Sequence, residues 1–118
     1  MSLHLDDTSL LAQFQNPSTK EKGYTGIVKK YQEKLYWHIR RMLIDHEDTN
    51  DVLQQALLKI WNGLDSFRAD SKLFTWMYRI ATNETLTFIE KQKKRATVSL
   101  DQVDGGFQDK IKADPMKQ

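Results

Sequence analysis

At 118 residues and 39% hydrophobic content, the chain has room for one small core and its tails. The absence of cysteine excludes a disulfide framework, a thiol nucleophile and a thiolate metal site, and no apolar run approaches the roughly 20 residues that cross a bilayer. The net charge of +2 hides a segregation: residues 20–44 carry seven Lys/Arg against two acids, residues 45–71 two against six, and residues 72–96 six against two. An acidic block between two basic ones can present opposite signs to different partners once folded; the plainer reading is a set of ordinary solvated helix surfaces.

The N-terminal MSLHLDDTSLL has no basic segment and no long apolar core, so it does not read as a secretory signal. Thr8 or Ser9 is the expected cap of a short helix over residues 10–16, which Pro17 and Ser18 interrupt. Residues 19–44 predict a long helix, ragged near Gly23 and Gly26. Ile27, Val28, Tyr31, Leu35, Ile39 and Met42 form its apolar stripe. His38 has no second ligand at metal spacing and reads as part of the surface. Asp45-His46-Glu47-Asp48 is a polar turn in which Asp48 is the expected N-cap of the next helix. Consecutive turn residues seldom converge on one ion, so capping explains these acids better than a metal does.

That next helix buries Val52 or Leu53, Ala56, Leu57, Ile60 and Leu64, and Gly63 weakens its end. Asp51, Gln54, Gln55 and Leu58 follow a separate line. One leucine among an acid and two amides suits a protein contact, or else an ordinary exposed face with a tolerated leucine. A polar loop, Arg68-Ala69-Asp70-Ser71-Lys72, leads into the last helix, with Asp70 or Ser71 as its cap and an end near Gln92. Lys91, Lys93, Lys94 and Arg95 place cations at its negative C-terminal end. From Ala96 the periodicity fails, and residues 97–118 read as a linker or tail.

The last helix carries the densest chemistry. Trp76, Arg79 and Asn83 fall at i, i+3 and i+7 and share a face beside the apolar one. A flat ring, a guanidinium and an amide are groups that stack on bases, bind phosphates and read base edges. The alternative is a core tryptophan with two solvated neighbours. No Gly-rich phosphate loop, nucleophile elbow or HExxH motif is present, so catalysis has little support.

Together these residues carry a family resemblance. Asp48-x-x-Asp51-Val52-Leu53-Gln54-Gln55, Ile60-Trp61, Leu64-Asp65-Ser66-Phe67-Arg68-Ala69-Asp70-Ser71 and Phe74-Thr75-Trp76-Met77-Tyr78-Arg79-Ile80-Ala81-x-Asn83 resemble conserved region 2 of bacterial sigma factors. The likeness is greatest to the extracytoplasmic-function (ECF) branch and covers about residues 20 to 96. It implies an all-α fold, a small bundle of three to four main helices. It implies that Asp51, Gln54, Gln55 and Leu58 dock on the Arg-rich clamp helices of the largest subunit of core RNA polymerase. It further implies that Arg68, Asp70, Ser71, Lys72, Thr75, Trp76, Tyr78, Arg79 and Asn83, with Lys91, Lys94 and Arg95, take the non-template strand of the promoter minus-ten element. An anti-sigma protein is a further partner by resemblance alone. Gln55 stands where the family often has Glu, and Ala69 where Gly is common, which bears on the shape of the loop.

The expectation is thus a non-enzymatic sigma domain, cytoplasmic and monomeric, without metal or cofactor. Residues 1–18 form an N-terminal arm, residues 19–96 the helical domain, and residues 97–118 the start of a linker toward an absent helix-turn-helix domain, as in a fragment. Two rivals stand beside it: a helical module that reads duplex DNA, and an interaction bundle whose basic surfaces only solvate it.

Overall fold

The computed structural model describes residues 6–68 and 71–103, with side chains as far as Thr97. Among these residues lie four α-helices and no strand: α1 (Asp7–Gln15), α2 (Lys20–Met42), α3 (His46–Gly63) and α4 (Leu73–Val103), with a 3-10 turn at Leu64–Ser66 after α3. The expected all-α bundle is the observed one.

Local chemistry sets the helix starts, in part at other residues than expected. The Asp6 carboxylate, not Thr8 or Ser9, caps α1 by accepting from the Ser9 amide at 2.9 Å. For α3 the cap is Asp45 rather than Asp48. Its carboxylate accepts from the Asp48 amide at 2.8 Å, and its carbonyl from the Thr49 hydroxyl at 2.8 Å. Glu47 and Asp48 then fall in the first turn, where the helix dipole favours acids. The Lys72 carbonyl accepts from the Trp76 amide at 3.1 Å and opens α4; Asp70, one expected cap, lies outside the described residues. α4 runs past Gln92 and Ala96 because residues 73–104 hold neither glycine nor proline to stop it. Its 31 residues span about 46 Å at 1.5 Å per residue.

The core sits where α2, α3 and α4 meet. Ile27, Leu35, Ile39, Ala56, Ile60, Met77 and Ala81 are fully shielded from solvent. Each large apolar side chain there contributes roughly 1.5–3 kcal/mol. The segment expected as a separate arm belongs to the same core, with Leu10 and Phe14 buried in it. Gly23 explains how. A Cβ on it would stand 2.5 Å from the Phe14 amide nitrogen and 2.8 Å from the Leu10 carbonyl oxygen. α2 is continuous through this glycine, which is the crossing point of α1 rather than a ragged turn. Asp7 secures the crossing by accepting from Lys30 and from the Tyr31 hydroxyl, each at 2.8 Å.

His38 also departs from expectation. It is buried between α2 and α4, and its Nε2 lies 2.7 Å from the Thr82 hydroxyl. Among the described residues every buried side-chain polar atom has a hydrogen-bond partner. No helix among them is long and apolar enough to cross a membrane.

Candidate nucleic-acid interface and docking face

Two helices present their polar residues outward in different ways. On α3, burial alternates with the helical period. Val52, Leu53, Ala56, Leu57 and Ile60 face the core, and Asp51, Gln54, Gln55 and Leu58 face solvent. Leu58 is 53% exposed, a bare apolar group at the C-terminal end of the row. Among the described residues the side chains of Asp51, Gln54 and Gln55 make no hydrogen bond or ion pair. Lys59, the cation next to this row, is drawn to Glu84 of α4 as an ion pair. The row therefore keeps its acid-and-amide character.

Lys72, just before α4, and Thr75, Arg79 and Asn83 on it follow at steps of three and four and are all exposed. Trp76 stands apart from them. It is half-buried, with its ring centroid 5.1 Å from that of Phe67. A Cβ on Gly63 would lie 3.0 Å from the indole, so the glycine that weakens the end of α3 also makes room for this ring. One side of the Trp76 ring packs on the bundle, and the ring is otherwise partly open to solvent.

Tyr78 does not share that row. It turns toward α2, where its ring stacks on His38 at 3.7 Å between centroids and 24° between planes. Arg68 is exposed and Ser71 half-buried, whereas Asp70 lies outside the described residues. Lys91, Lys94 and Arg95 are exposed further along α4. At 1.5 Å per residue, Lys91 is about 18 Å from Arg79, so these cations form a second patch.

Sequence reasoning missed the cluster between α2 and α4. The Thr82 hydroxyl donates its one proton to the Tyr78 carbonyl at 2.9 Å. The same hydroxyl lies 2.7 Å from the His38 Nε2, which ties the ring to α4. Burial holds the His38 imidazolium pKa below its ordinary value, and the nearby Arg41 guanidinium lowers it further. The signal was available: His38 lies three residues after Leu35 on the apolar stripe of α2, where the helical period calls for a buried residue. Trp37, beside it, is 51% exposed.

Residues 27–95 match the Sigma-70 region 2 family. Over 95 residues the chain is 36% identical to the ECF RNA polymerase sigma-E factor of Escherichia coli strain K12, covering 80% of this chain and 48% of that protein. Over 94 residues it is 34% identical to the ECF RNA polymerase sigma factor SigG of Mycobacterium tuberculosis strain H37Rv, covering 77% and 25%. The chain thus spans half or less of the length of these relatives. Among solved structures it superposes on an engineered region 2 of sigmaE in complex with GTAAAA, with a TM-score of 0.70, 34% identity and coverage of 80% of this chain and 97% of that one. CnrH, solved in complex with the cytosolic domain of CnrY, shares the fold at a TM-score of 0.59 and 22% identity, with 93% and 74% coverage. The chain belongs to the Sigma-70 region 2 family, and its relatives are sigma factors of the ECF type.

Proposed function

We propose that this domain docks on core RNA polymerase through α3 and captures the non-template strand of the promoter minus-ten element along α4. The observation that carries the reading is the exposed row of Lys72, Thr75, Arg79 and Asn83. It lies in a fold matched closely by a region 2 in complex with GTAAAA. Opening base pairs costs a few kcal/mol each, and a protein offsets that cost by stacking and hydrogen-bonding the freed bases. Trp76 supplies an aromatic edge at the upstream end of the opened strand. Arg79, Lys72 and the patch at Lys91, Lys94 and Arg95 hold phosphates, and Asn83 reads a base edge. Arg68 and Ser71, with Asp70, border the loop that holds a flipped base.

On α3, Asp51 meets an Arg-rich partner while Leu58 fills a small apolar contact between the amides of Gln54 and Gln55. The polymerase performs the chemistry, and this domain contributes no catalytic group of its own. It acts in the cytoplasm as a monomer, with an anti-sigma protein as the partner that withholds it.

The test compares a fluorescent GTAAAA single strand with the same sequence in duplex, by anisotropy. The single strand is expected to bind at least tenfold more tightly, with affinity falling as salt rises. Equal or tighter duplex binding would replace this reading with a duplex-reading module. Binding to neither would leave an interaction bundle.

A further inference from the structure

Outside both faces, α2 and α4 enclose an open groove of about 430 Å³, within the range of small-ligand sites at about 300–1,000 Å³. Its walls come from Lys34, Trp37, His38 and Arg41 of α2 and from Phe74 and Tyr78 of α4. We propose that this groove is a second base-stacking subsite, which takes an unpaired nucleobase of the same DNA strand next to those held on α4. The proposal rests on the nucleic-acid reading above and extends the path of the strand from α4 onto α2.

Three observations point to a base. The first is the exposure of large rings that a solvated surface does not need: Trp37 is 51% and Tyr78 40% exposed. The second is that these rings are held in place before any ligand arrives. Trp37 stands edge-on to Tyr36, with centroids 5.0 Å apart and planes at 89°. Tyr78 lies flat on His38, which is itself fixed by its hydrogen bond to Thr82. Burial, and then the Arg41 guanidinium, disfavour the charged form of that imidazole. Preorganised aromatic faces bind bases with little loss of side-chain freedom.

The third observation is charge. Lys34 and Arg41 flank the rings; the Lys34 ammonium lies over the Phe74 ring at 5.8 Å from its centroid, and among the described residues neither cation makes an ion pair. Glu33 is the one acid among the lining residues. Two cations beside exposed rings match a strand that alternates phosphate and base. Tyr78 also lies between Thr75 and Arg79 along α4, within one turn. The groove therefore begins within one turn of Thr75 and Arg79 along the helix axis.

The experiment uses the full chain and three fluorescent strands: GTAAAA alone, and GTAAAA extended by three thymidines at either the 5′ or the 3′ end. Extension at one end is expected to tighten binding roughly tenfold, the effect of one well-stacked base. An abasic residue in that extension should remove the gain. Trp37→Ala should remove it as well while leaving the affinity for GTAAAA unchanged, and Trp37→Phe should restore most of it. Lys34→Ala with Arg41→Ala, two exposed positions, should weaken the extended strand more than the short one; this variant serves if the tryptophan substitutions disturb the fold. A gain that survives both Trp37→Ala and the abasic strand, or no gain from either extension, would overturn the subsite even if GTAAAA binds. An acidic peptide that binds the groove in a Trp37-dependent way in place of the extended strand would overturn it equally. Failure of all three strands to bind would instead overturn the underlying nucleic-acid reading.

Discussion

The exposed rows of α3 and α4 differ in what their side chains do for the fold. On α3, Asp51, Gln54, Gln55 and Leu58 stand clear of the bundle, and the buried side of the same helix does the packing. On α4 the rings also pack: Trp76 props against Phe67 and Gly63, and Tyr78 covers His38, while Arg79 and Asn83 beside them are exposed. A docking surface between two folded proteins needs only a shaped patch on a rigid helix. A surface that captures unpaired bases needs large rings held still, and a small bundle holds them by packing them partly into itself. Under the proposed function, binding and stability separate on α3 and mix on α4.

The largest expected effect is on the mixed side. Trp76→Ala should cost about 2–3 kcal/mol of stability in urea unfolding, less than a fully buried tryptophan would, and a further 1–3 kcal/mol or so in single-strand affinity. Loss of DNA affinity with unchanged stability would show that the indole has no packing role. Leu58→Ser comes next. It should weaken binding to polymerase clamp helices by about 1–2 kcal/mol and change stability by less than about 0.5 kcal/mol. A lower urea midpoint would show that α3 is not the separable face.

Smaller still is Arg79→Ala. It should reduce the slope of log affinity against log salt by about 0.7, one phosphate contact on a single strand, with the urea midpoint unmoved. An unchanged slope would remove Arg79 from the phosphate path.

The smallest effect concerns His38. Burial, and then Arg41, hold its pKa below the ordinary 6.5, so between the two values the unfolded chain binds more protons than the folded one. Its contribution to stability is therefore intact above about pH 6.5 and declines as the pH falls from there toward the folded value. Thermal melts from about pH 8 to about pH 5 should show this decline, and His38→Gln should flatten part of it. An identical decline in the variant would assign it to other groups.

Much of this was legible in the sequence. Three- and four-residue spacing is a physical property of the helix, so the apolar stripes of α2 and α3 and the outward line from Asp51 to Leu58 could be read directly. The less legible features turned on residues with two possible uses. Asp45 and Asp48 can both cap a helix, and only the packing of α3 decides that the earlier one does. Gly23 can loosen a helix or admit a neighbour, and the difference is the position of Phe14, nine residues away in sequence. His38 reads as surface by residue type and as core by position, and its burial is met by a hydrogen bond with Thr82, 44 residues later. Trp76 shows the same limit: spacing put it on a face but could not show how far Gly63 lets it sink.

The most direct test of two separable faces is a titration of the whole chain with a fluorescent fragment of the polymerase clamp helices, wild type against Asp51→Arg. Saturable binding by the wild type that is lost in Asp51→Arg, with the variant's affinity for single-stranded GTAAAA intact, is the predicted result. Equal binding by both proteins, or by neither, would contradict the assignment of α3 as the docking face.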